Sequence, residues 1–112
     1  MSHRSIFEVQ ADLCQCVASA IRIEIVHVLR DGPQRVSDIV RSTGHPQAKI
    51  SRHLGVLRNG GVVIAQRRAQ NVVYQIANPK IVHICDLMRE VLVEQTAHRS
   101  QLAEASPDEH AR

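Results

Sequence analysis

Apolar residues recur at helical spacing through the first half of the chain, and this pattern predicts a series of helices. A first apolar stripe predicts a helix over residues 4–18. The stripe consists of Ile6, Val9, Leu13, Cys16 and Val17. A second stripe predicts a helix over 20–30, which ends at Asp31-Gly32-Pro33 because glycine and proline do not continue a helix. A short third helix is predicted to begin at about Ser37 and to end near Thr43-Gly44.

The fourth predicted helix lies within residues 44–61, GHPQAKISRHLGVLRNGG, and separates apolar from polar side chains. Ile50, Leu54 and Leu57 are four and three residues apart, so they share one face. Pro46 suits the first helical turn and Gly60-Gly61 the end. The other face carries hydrogen-bond donors and no acid: Gln47, Lys49, Ser51, Arg52 and Arg58.

The third and fourth predicted helices, joined by a turn that contains glycine, form a helix-turn-helix. A helix whose exposed face holds short polar and cationic side chains can enter the major groove of DNA, where they reach base edges and phosphates. The alternative interpretation is an ordinary surface helix with a basic face.

After Gly61 the pattern changes from helical spacing to β-branched runs. Residues 62–65 and 72–76 are such runs, and the polar segment 66–71, QRRAQN, separates them. The pattern predicts a β-hairpin with Arg67 and Arg68 at its tip. A wing of this kind would reach phosphates or the minor groove beside the fourth helix. Alternatively, the two arginines only keep a turn soluble.

A last helix is predicted from Asn78-Pro79, where asparagine can cap the helix and proline suits its first position. Its apolar stripe runs from Ile81 to about residue 96. A unit this small cannot bury the apolar faces of a helix at each of its ends in a single core. We therefore expect these faces to pair with a second copy of the chain. The predicted domain is 1–99, followed by a polar tail over 100–112 that we expect to be disordered.

The composition favours one domain that binds duplex nucleic acid. The chain has 112 residues, which fits a single domain, and 44% of them are hydrophobic. Only 2% are aromatic (Phe7 and Tyr74), and this low aromatic content argues against a protein that binds single-stranded nucleic acid by stacking its bases. The formal net charge is +3, but between Arg35 and Arg68 seven cations face one acid. A basic centre of this kind is typical of a protein that binds a polyanion.

The sequence predicts no membrane span and no secretory signal, and we expect the protein in the cytoplasm. Three cysteines in a reducing compartment are expected to be free thiols or metal ligands rather than structural disulfides. We do not expect an enzyme, because no paired carboxylates, nucleophile elbow or glycine-rich phosphate loop is present, and Ser51-Arg52-His53 is adjacent in sequence rather than a triad.

Four segments resemble the ArsR/SmtB family of metal-responsive repressors. Residues 17–26, VASAIRIEIV, resemble the family signature L-A-D-P-T-R-L-R-I-L, and 47–58, QAKISRHLGVLR, its recognition helix Q-S-T-V-S-R-H-L-K-V-L-R. Residues 59–63 and 73–79 are similar to its E-A-G-L-V and V-Y-Y-R-L-N-P segments. The match covers roughly residues 13–95. It implies a dimeric winged-helix repressor that leaves its operator when an inducer binds.

The family's metal motifs are only partly present. Its arsenic motif C-V-C-D-L corresponds to residues 35–39, RVSDI, where neither thiol is found. Its other frequent site uses an acid and histidines on the last helix. His83 matches one ligand of that site, but Ile81 stands where the acid should be. Glu94 could supply a further metal ligand, although His98 is slightly displaced from the position of the family's ligand. A Zn(II) or Ni(II) site on the last helix is therefore one alternative.

Cys14, Cys16 and Cys85 are the candidate sensor residues. The resemblance implies that the first and last helices pack together at a dimer interface, which would bring these thiols close. A helix turns by ~100° per residue, so Cys14 and Cys16 lie ~200° apart and share one ion only if the turn unwinds or a partner chain contributes. Soft thiolates favour As(III), Cd(II) or Zn(II). Alternatives are a disulfide or polysulfide bridge, or three thiols that only fill the core.

These observations predict a mainly α protein with a small β-hairpin, a winged helix-turn-helix that forms a homodimer through its first and last helices. The predicted function is a transcriptional repressor that binds double-stranded operator DNA and is released by an inducer sensed through cysteine thiols. The predicted DNA-binding residues are Gln47, Lys49, Ser51, Arg52, His53, Arg67 and Arg68. A redox or reactive-sulfur sensor is one alternative, and a winged-helix module that binds an acidic protein is another.

Overall fold

The structure is a computed structural model that describes residues 3–105, with side chains described through residue 100. The elements in chain order are α1 (Ile6–Cys16), α2 (Ala20–Val28), a 3-10 turn (Leu29–Asp31), β1 (Gln34–Arg35), α3 (Val36–Thr43), α4 (Gln47–Asn59), β2 (Val63–Arg68), β3 (Asn71–Ile76) and α5 (Lys80–Ala105). The chain divides into two compact units, one that ends at Val82 and one that begins at His83.

The first two helices each begin at a serine cap. The Ser5 hydroxyl accepts the Glu8 N–H at 3.1 Å, and the Glu8 carboxylate accepts the Ser5 N–H at 2.9 Å. Ser19 caps α2 by accepting the Arg22 N–H at 3.4 Å. Each helix begins directly after its cap, because the cap residue has extended backbone angles and cannot be part of the helix. Helix α1 is shorter than the predicted span 4–18 at both ends, and at its N-terminus the Ser5 cap is the reason.

The core of the first unit lies between α2, α3, α4 and the start of β2. Its fully buried side chains are Ile25, Val26, Leu29, Ile39, Ile50, Leu54, Leu57, Val62 and Val63. The predicted apolar face of the fourth helix, Ile50, Leu54 and Leu57, is thus confirmed. Each such side chain contributes roughly 1.5–3 kcal/mol when buried, so α4 is held by one face while its opposite face stays in solvent.

Helices α3 and α4 form the predicted helix-turn-helix. Gly44 ends α3 in the left-handed region at φ 77°, and its N–H donates to the Val40 carbonyl at 2.8 Å. Helix α3 begins at Val36, one residue before the predicted Ser37, because the Asp38 carboxylate already accepts the Arg35 N–H at 3.1 Å. Pro46 precedes α4 as its cap and is not its first helical residue.

The sheet has three antiparallel strands in the order β1-β3-β2, where a two-stranded hairpin was predicted. The additional strand is the pair Gln34 and Arg35, which lies opposite Tyr74 and Val73 of β3. The hairpin is also longer than predicted. Pairing continues to Arg68 opposite Asn71, so the loop is reduced to two residues and both arginines lie in β2.

The second unit is helix α5 from His83 onward. The helix begins at Lys80, whose N–H donates to the Asn78 side chain at 3.0 Å, as expected for an asparagine cap. It continues to Ala105, past the predicted end near 96. Residues 106–112 of the predicted tail lie outside the described residues. Among the helices described, none has both the length and the apolar character that crossing a membrane would require.

Candidate nucleic-acid interface

The outer face of α4 presents the predicted groove-reading residues to solvent. Gln47, Lys49, Ser51 and Arg52 are all exposed. In the described part of the chain, none of these four side chains takes part in a hydrogen bond or ion pair. Since Ile50 and Leu54 are completely buried on the opposite side, the helix cannot rotate these donors inward without exposing the core. The buried face of α4 therefore keeps these four polar side chains accessible to solvent.

His53 differs from its neighbours on α4 because it is half-buried and has a protein partner. Its Nδ1 lies 3.1 Å from Nη1 of Arg22. Partial burial lowers the pKa of His53, and the nearby cations Arg22, Arg52 and Lys49, with His45, lower it further. His53 is therefore neutral at pH 7 and adds no charge to the exposed face.

Arg22 was missed by the analysis of the sequence. This α2 residue contacts His53 and also donates from Nε to the Cys16 carbonyl at 2.6 Å and from Nη2 to the Gln15 carbonyl at 3.4 Å. Two signals could have indicated it. Arg22 lies between Ile21 and Ile23 in a helix whose only other charged or titratable residues are Glu24 and His27, and it matches the arginine of the family signature.

The wing lies next to the end of α4. The Val62 N–H donates to the Leu57 carbonyl at 2.9 Å, which ties the start of β2 to the last turn of the helix. Arg67 and Arg68 are exposed at the far end of β2, and Nη2 of Arg68 is 3.5 Å from Oε1 of Gln66. The short connection to α4 keeps both arginines in the same compact unit as the helix.

Two acids of the first unit, Asp38 and Glu24, are engaged by neighbouring side chains. The Asp38 carboxylate accepts hydrogen bonds from the Arg35 guanidinium at 3.3 Å and lies 3.5 Å from Nη1 of Arg41. These contacts, led by the Arg35 hydrogen bond, lower the pKa of Asp38. Glu24 pairs with Nε2 of His45 at 3.0 Å. Within the part of the chain that the structure describes, Lys49 and Arg52 have no acidic partner and remain unneutralised.

The three cysteines occupy different environments. Cys14 is exposed, Cys16 is half-buried, and Cys85, in the second unit, is buried. Burial raises the pKa of Cys85, which disfavours its thiolate. The Cys16 thiol lies 3.6 Å from the Val56 carbonyl of α4 and against Gly60. Among the residues with described side chains, no group of three or more His, Cys, Asp or Glu could hold a metal ion.

Comparison with known proteins identifies the family. Residues 19–65 match the family described as "Bacterial regulatory protein, arsR family". The Mycobacterium tuberculosis regulator Rv0081, named an uncharacterized HTH-type transcriptional regulator, is 30% identical over 105 residues, which cover 93% of this chain and 92% of the relative. The chain belongs to the ArsR family. The crystal structure of Rv0081 superposes on this ArsR-family chain with a TM-score of 0.76 at 28% identity, covering 88% of this chain and 99% of that one.

Two further relatives extend the comparison. The M. tuberculosis repressor SmtB is 33% identical over 81 residues, and the match covers 72% of this ArsR-family chain but only 60% of SmtB. The winged helix-turn-helix domain of Mb0332 from Mycobacterium bovis, described as homodimeric, has a TM-score of 0.74 at 26% identity, covering 88% of this chain and 95% of that one.

The predicted family and the predicted winged helix-turn-helix are confirmed by these comparisons. The relatives are named as transcriptional regulators, which agrees with the prediction that the chain is not an enzyme. The individual DNA-binding residues and the roles of the three cysteines stay predictions.

Proposed function

We propose that this ArsR-family chain is a dimeric transcriptional repressor that binds operator DNA in the cytoplasm and leaves it when an inducer acts on cysteine thiols. The observation that carries the proposal is the outer face of α4. Four donor side chains are exposed there without partners among the described residues, while Ile50, Leu54 and Leu57 anchor the opposite face. A rigid helix of this kind can be inserted into a major groove with little further ordering.

In this proposal, Gln47, Lys49, Ser51 and Arg52 contact base edges and phosphates in the major groove. Arginine is suited to guanine and glutamine to adenine, because each can form two hydrogen bonds with its base. His53 would contribute the N–H of its outer ring nitrogen to a phosphate. Arg67 and Arg68 at the end of the wing would contact the flanking minor groove.

The apolar faces of the two terminal helices support a homodimer. In α1, no residue is buried, and Ile6 and Phe7 are 71% and 76% exposed. In α5, Val91 and Leu92 are 51% and 60% exposed. Such faces are costly in water, and pairing with a second copy would cover them. A two-fold symmetric pair would present α4 twice, to an operator of roughly palindromic sequence.

The contact of Cys16 with α4 supports thiol sensing. The sulfur lies 3.6 Å from the Val56 carbonyl and against Gly60, so an atom added on this side of it would push against α4. Arsenite or another soft metal ion is one inducer class, and an oxidant or a reactive sulfur species is the other. Cys14 and Cys16 do not fit a shared ion in one intact helix, so a metal site on α1 would need that turn to unwind or thiols from a second chain.

Binding of duplex DNA tests the first part of the proposal. Fluorescence anisotropy of a labelled duplex, selected from a random-sequence pool by the protein, is measured over a range of salt concentrations. Because several phosphates are neutralised, log K should fall steeply and linearly with log salt. A flat salt response, or no preference for the selected duplex over a scrambled one, would contradict DNA binding.

The inducer is tested on the same complex. Arsenite, Cd(II), Zn(II), polysulfide and peroxide are added in turn to wild-type protein and to the variants Cys14→Ser, Cys16→Ser and Cys85→Ser. We expect one class of inducer to release the duplex from wild type and to fail on Cys16→Ser. If all three variants respond as wild type does, the thiols do not sense the inducer and only fill space.

A further inference from the structure

The guanidinium of Arg22 joins three helices of the first unit. From its position in α2, it donates to the carbonyls of Gln15 and Cys16, at 3.4 and 2.6 Å, which end α1. Its third contact is Nδ1 of His53 in α4, at 3.1 Å. One side chain therefore connects the end of the first helix with the helix that carries the predicted DNA-binding residues.

Arginine is well suited to this place. The last carbonyls of a helix have no partner within the helix, and a cation at that end also compensates the helix dipole. A guanidinium offers five donors in a fixed planar arrangement, so it can serve Gln15, Cys16 and His53 together. A lysine ammonium in the same place has the charge but lacks the planar geometry.

The contact also determines which ring nitrogen of His53 carries the proton. Arginine cannot accept a hydrogen bond, so Nδ1 of His53 must be the acceptor and the neutral ring is protonated at Nε2. The charged and titratable groups facing this ring are Arg22 from α2, Lys49 and Arg52 from α4, and His45 from the turn before α4. In the described part of the chain, Nε2 has no hydrogen-bond partner, so its N–H is available to an outside acceptor.

We propose that Arg22 is a positioning residue for operator recognition, which clamps the end of α1 to His53 and thereby sets the orientation of α4. The inference rests on the proposed function, because it assumes that α4 binds DNA. Arg22 is half-buried and bonded to three protein acceptors. It therefore acts through His53 and α1, and not by touching DNA.

The variant Arg22→Lys tests the clamp at constant charge. With the duplex selected by wild-type protein as probe, we expect affinity to fall about tenfold, the equivalent of one to two net hydrogen bonds. The slope of log K against log salt should stay the same, because no phosphate contact is lost. Circular dichroism confirms that the variant is folded. Wild-type affinity in the folded variant would overturn the inference.

Two substitutions of His53 separate the clamp from a direct contact with phosphate. His53→Asn keeps an acceptor near the position of Nδ1, whereas His53→Gln keeps a donor near Nε2. The clamp predicts that His53→Asn, although it gives up the Nε2–H donor, binds more tightly than His53→Gln, which loses about as much as Arg22→Lys. The reverse order would mean that His53 matters only as a phosphate contact, and the inference would be wrong.

A spectroscopic readout does not depend on DNA. In wild type, nitrogen-15 NMR should show His53 as a single tautomer protonated at Nε2. In Arg22→Met, which removes both donors and charge, the second tautomer, protonated at Nδ1, should become detectable and the pKa of His53 should rise towards its usual value. A His53 that stays a single Nε2–H tautomer with an unchanged pKa in Arg22→Met would contradict the clamp. Failure of wild type to bind any duplex would instead contradict the proposed function.

Discussion

The thiol of Cys16 occupies the space that a side chain on Gly60 would fill. A Cβ atom placed on Gly60 would overlap with the sulfur and lie 3.3 Å from the Cys16 Cβ. The two residues belong to α1 and to the C-terminal end of α4, so the first helix contacts the recognition helix where that helix turns into the wing. The Cys16 sulfur is therefore in direct contact with the C-terminal end of α4.

This contact predicts a specific effect of Gly60→Ala. Because the backbone of Gly60 is helical, alanine would ordinarily be tolerated, but here we expect the free energy of unfolding to fall by about 1–3 kcal/mol from overpacking. Chemical denaturation measures the change. In a Cys16→Ala background the loss should be smaller, because the sulfur is gone.

Gly55→Ala is the matched control on the same helix. Nothing lies within 4 Å of a Cβ at Gly55, so this substitution should stabilise the helix by about 0.5–1 kcal/mol. Equal effects of the two glycine substitutions, or an undiminished loss in the Cys16→Ala background, would show that the contact does not restrict Gly60.

The exposed stripe of α1 predicts that Val9→Asp weakens the dimer. Val9 is 48% exposed and α1 contributes no buried residue to the core, so the substitution should leave the first unit folded. A charge on a face that pairs with a second copy costs binding energy, and sedimentation equilibrium should show monomer at concentrations where wild type is a dimer. Gln10→Asp introduces the same charge about 100° away and should have a smaller effect. An intact dimer in Val9→Asp would exclude this face.

The exposed position of Arg52 predicts that Arg52→Ala weakens duplex binding and leaves the dimer intact. We expect a loss of about 1–3 kcal/mol for a base contact, or a reduction of the salt slope by about 1 for a phosphate contact. Arg99→Ala removes the same charge from an exposed site on α5 and should change neither quantity. Wild-type affinity in Arg52→Ala would refute the role given to α4.

The environment of Asp38 predicts a pH-dependent stability difference. Its pKa is lowered, first by the hydrogen bond from Arg35, so the ionised form is favoured in the folded state. The resulting stability is present above the unfolded pKa of about 3.9 and is lost as pH falls through the lower folded pKa. Thermal unfolding should show Asp38→Asn less stable than wild type at pH 7, with a gap that closes in acid. A gap independent of pH would contradict this ionic contribution.

Local features were predictable because they depend on residues close in sequence. Glycine marked the end of α3 at Gly44, and the spacing of Ile50, Leu54 and Leu57 identified the buried face of α4. One error occurred where a partner lies far along the chain. Gln34 and Arg35 are too short a segment to be recognised as a strand and become one only by pairing with β3. Arg67 and Arg68 join the strand because pairing extends to the two-residue loop.

The sequence by itself determined the helix-turn-helix, its cationic face and the family, because helical periodicity and a family signature are properties of neighbouring residues. Only the tertiary structure decided that Arg22 contacts His53, 31 residues away, and that Cys16 contacts Val56, 40 residues away. Such contacts form when the core brings separate helices together, and no local pattern encodes which side chains then meet. The connection between α1 and the recognition helix is therefore a product of packing.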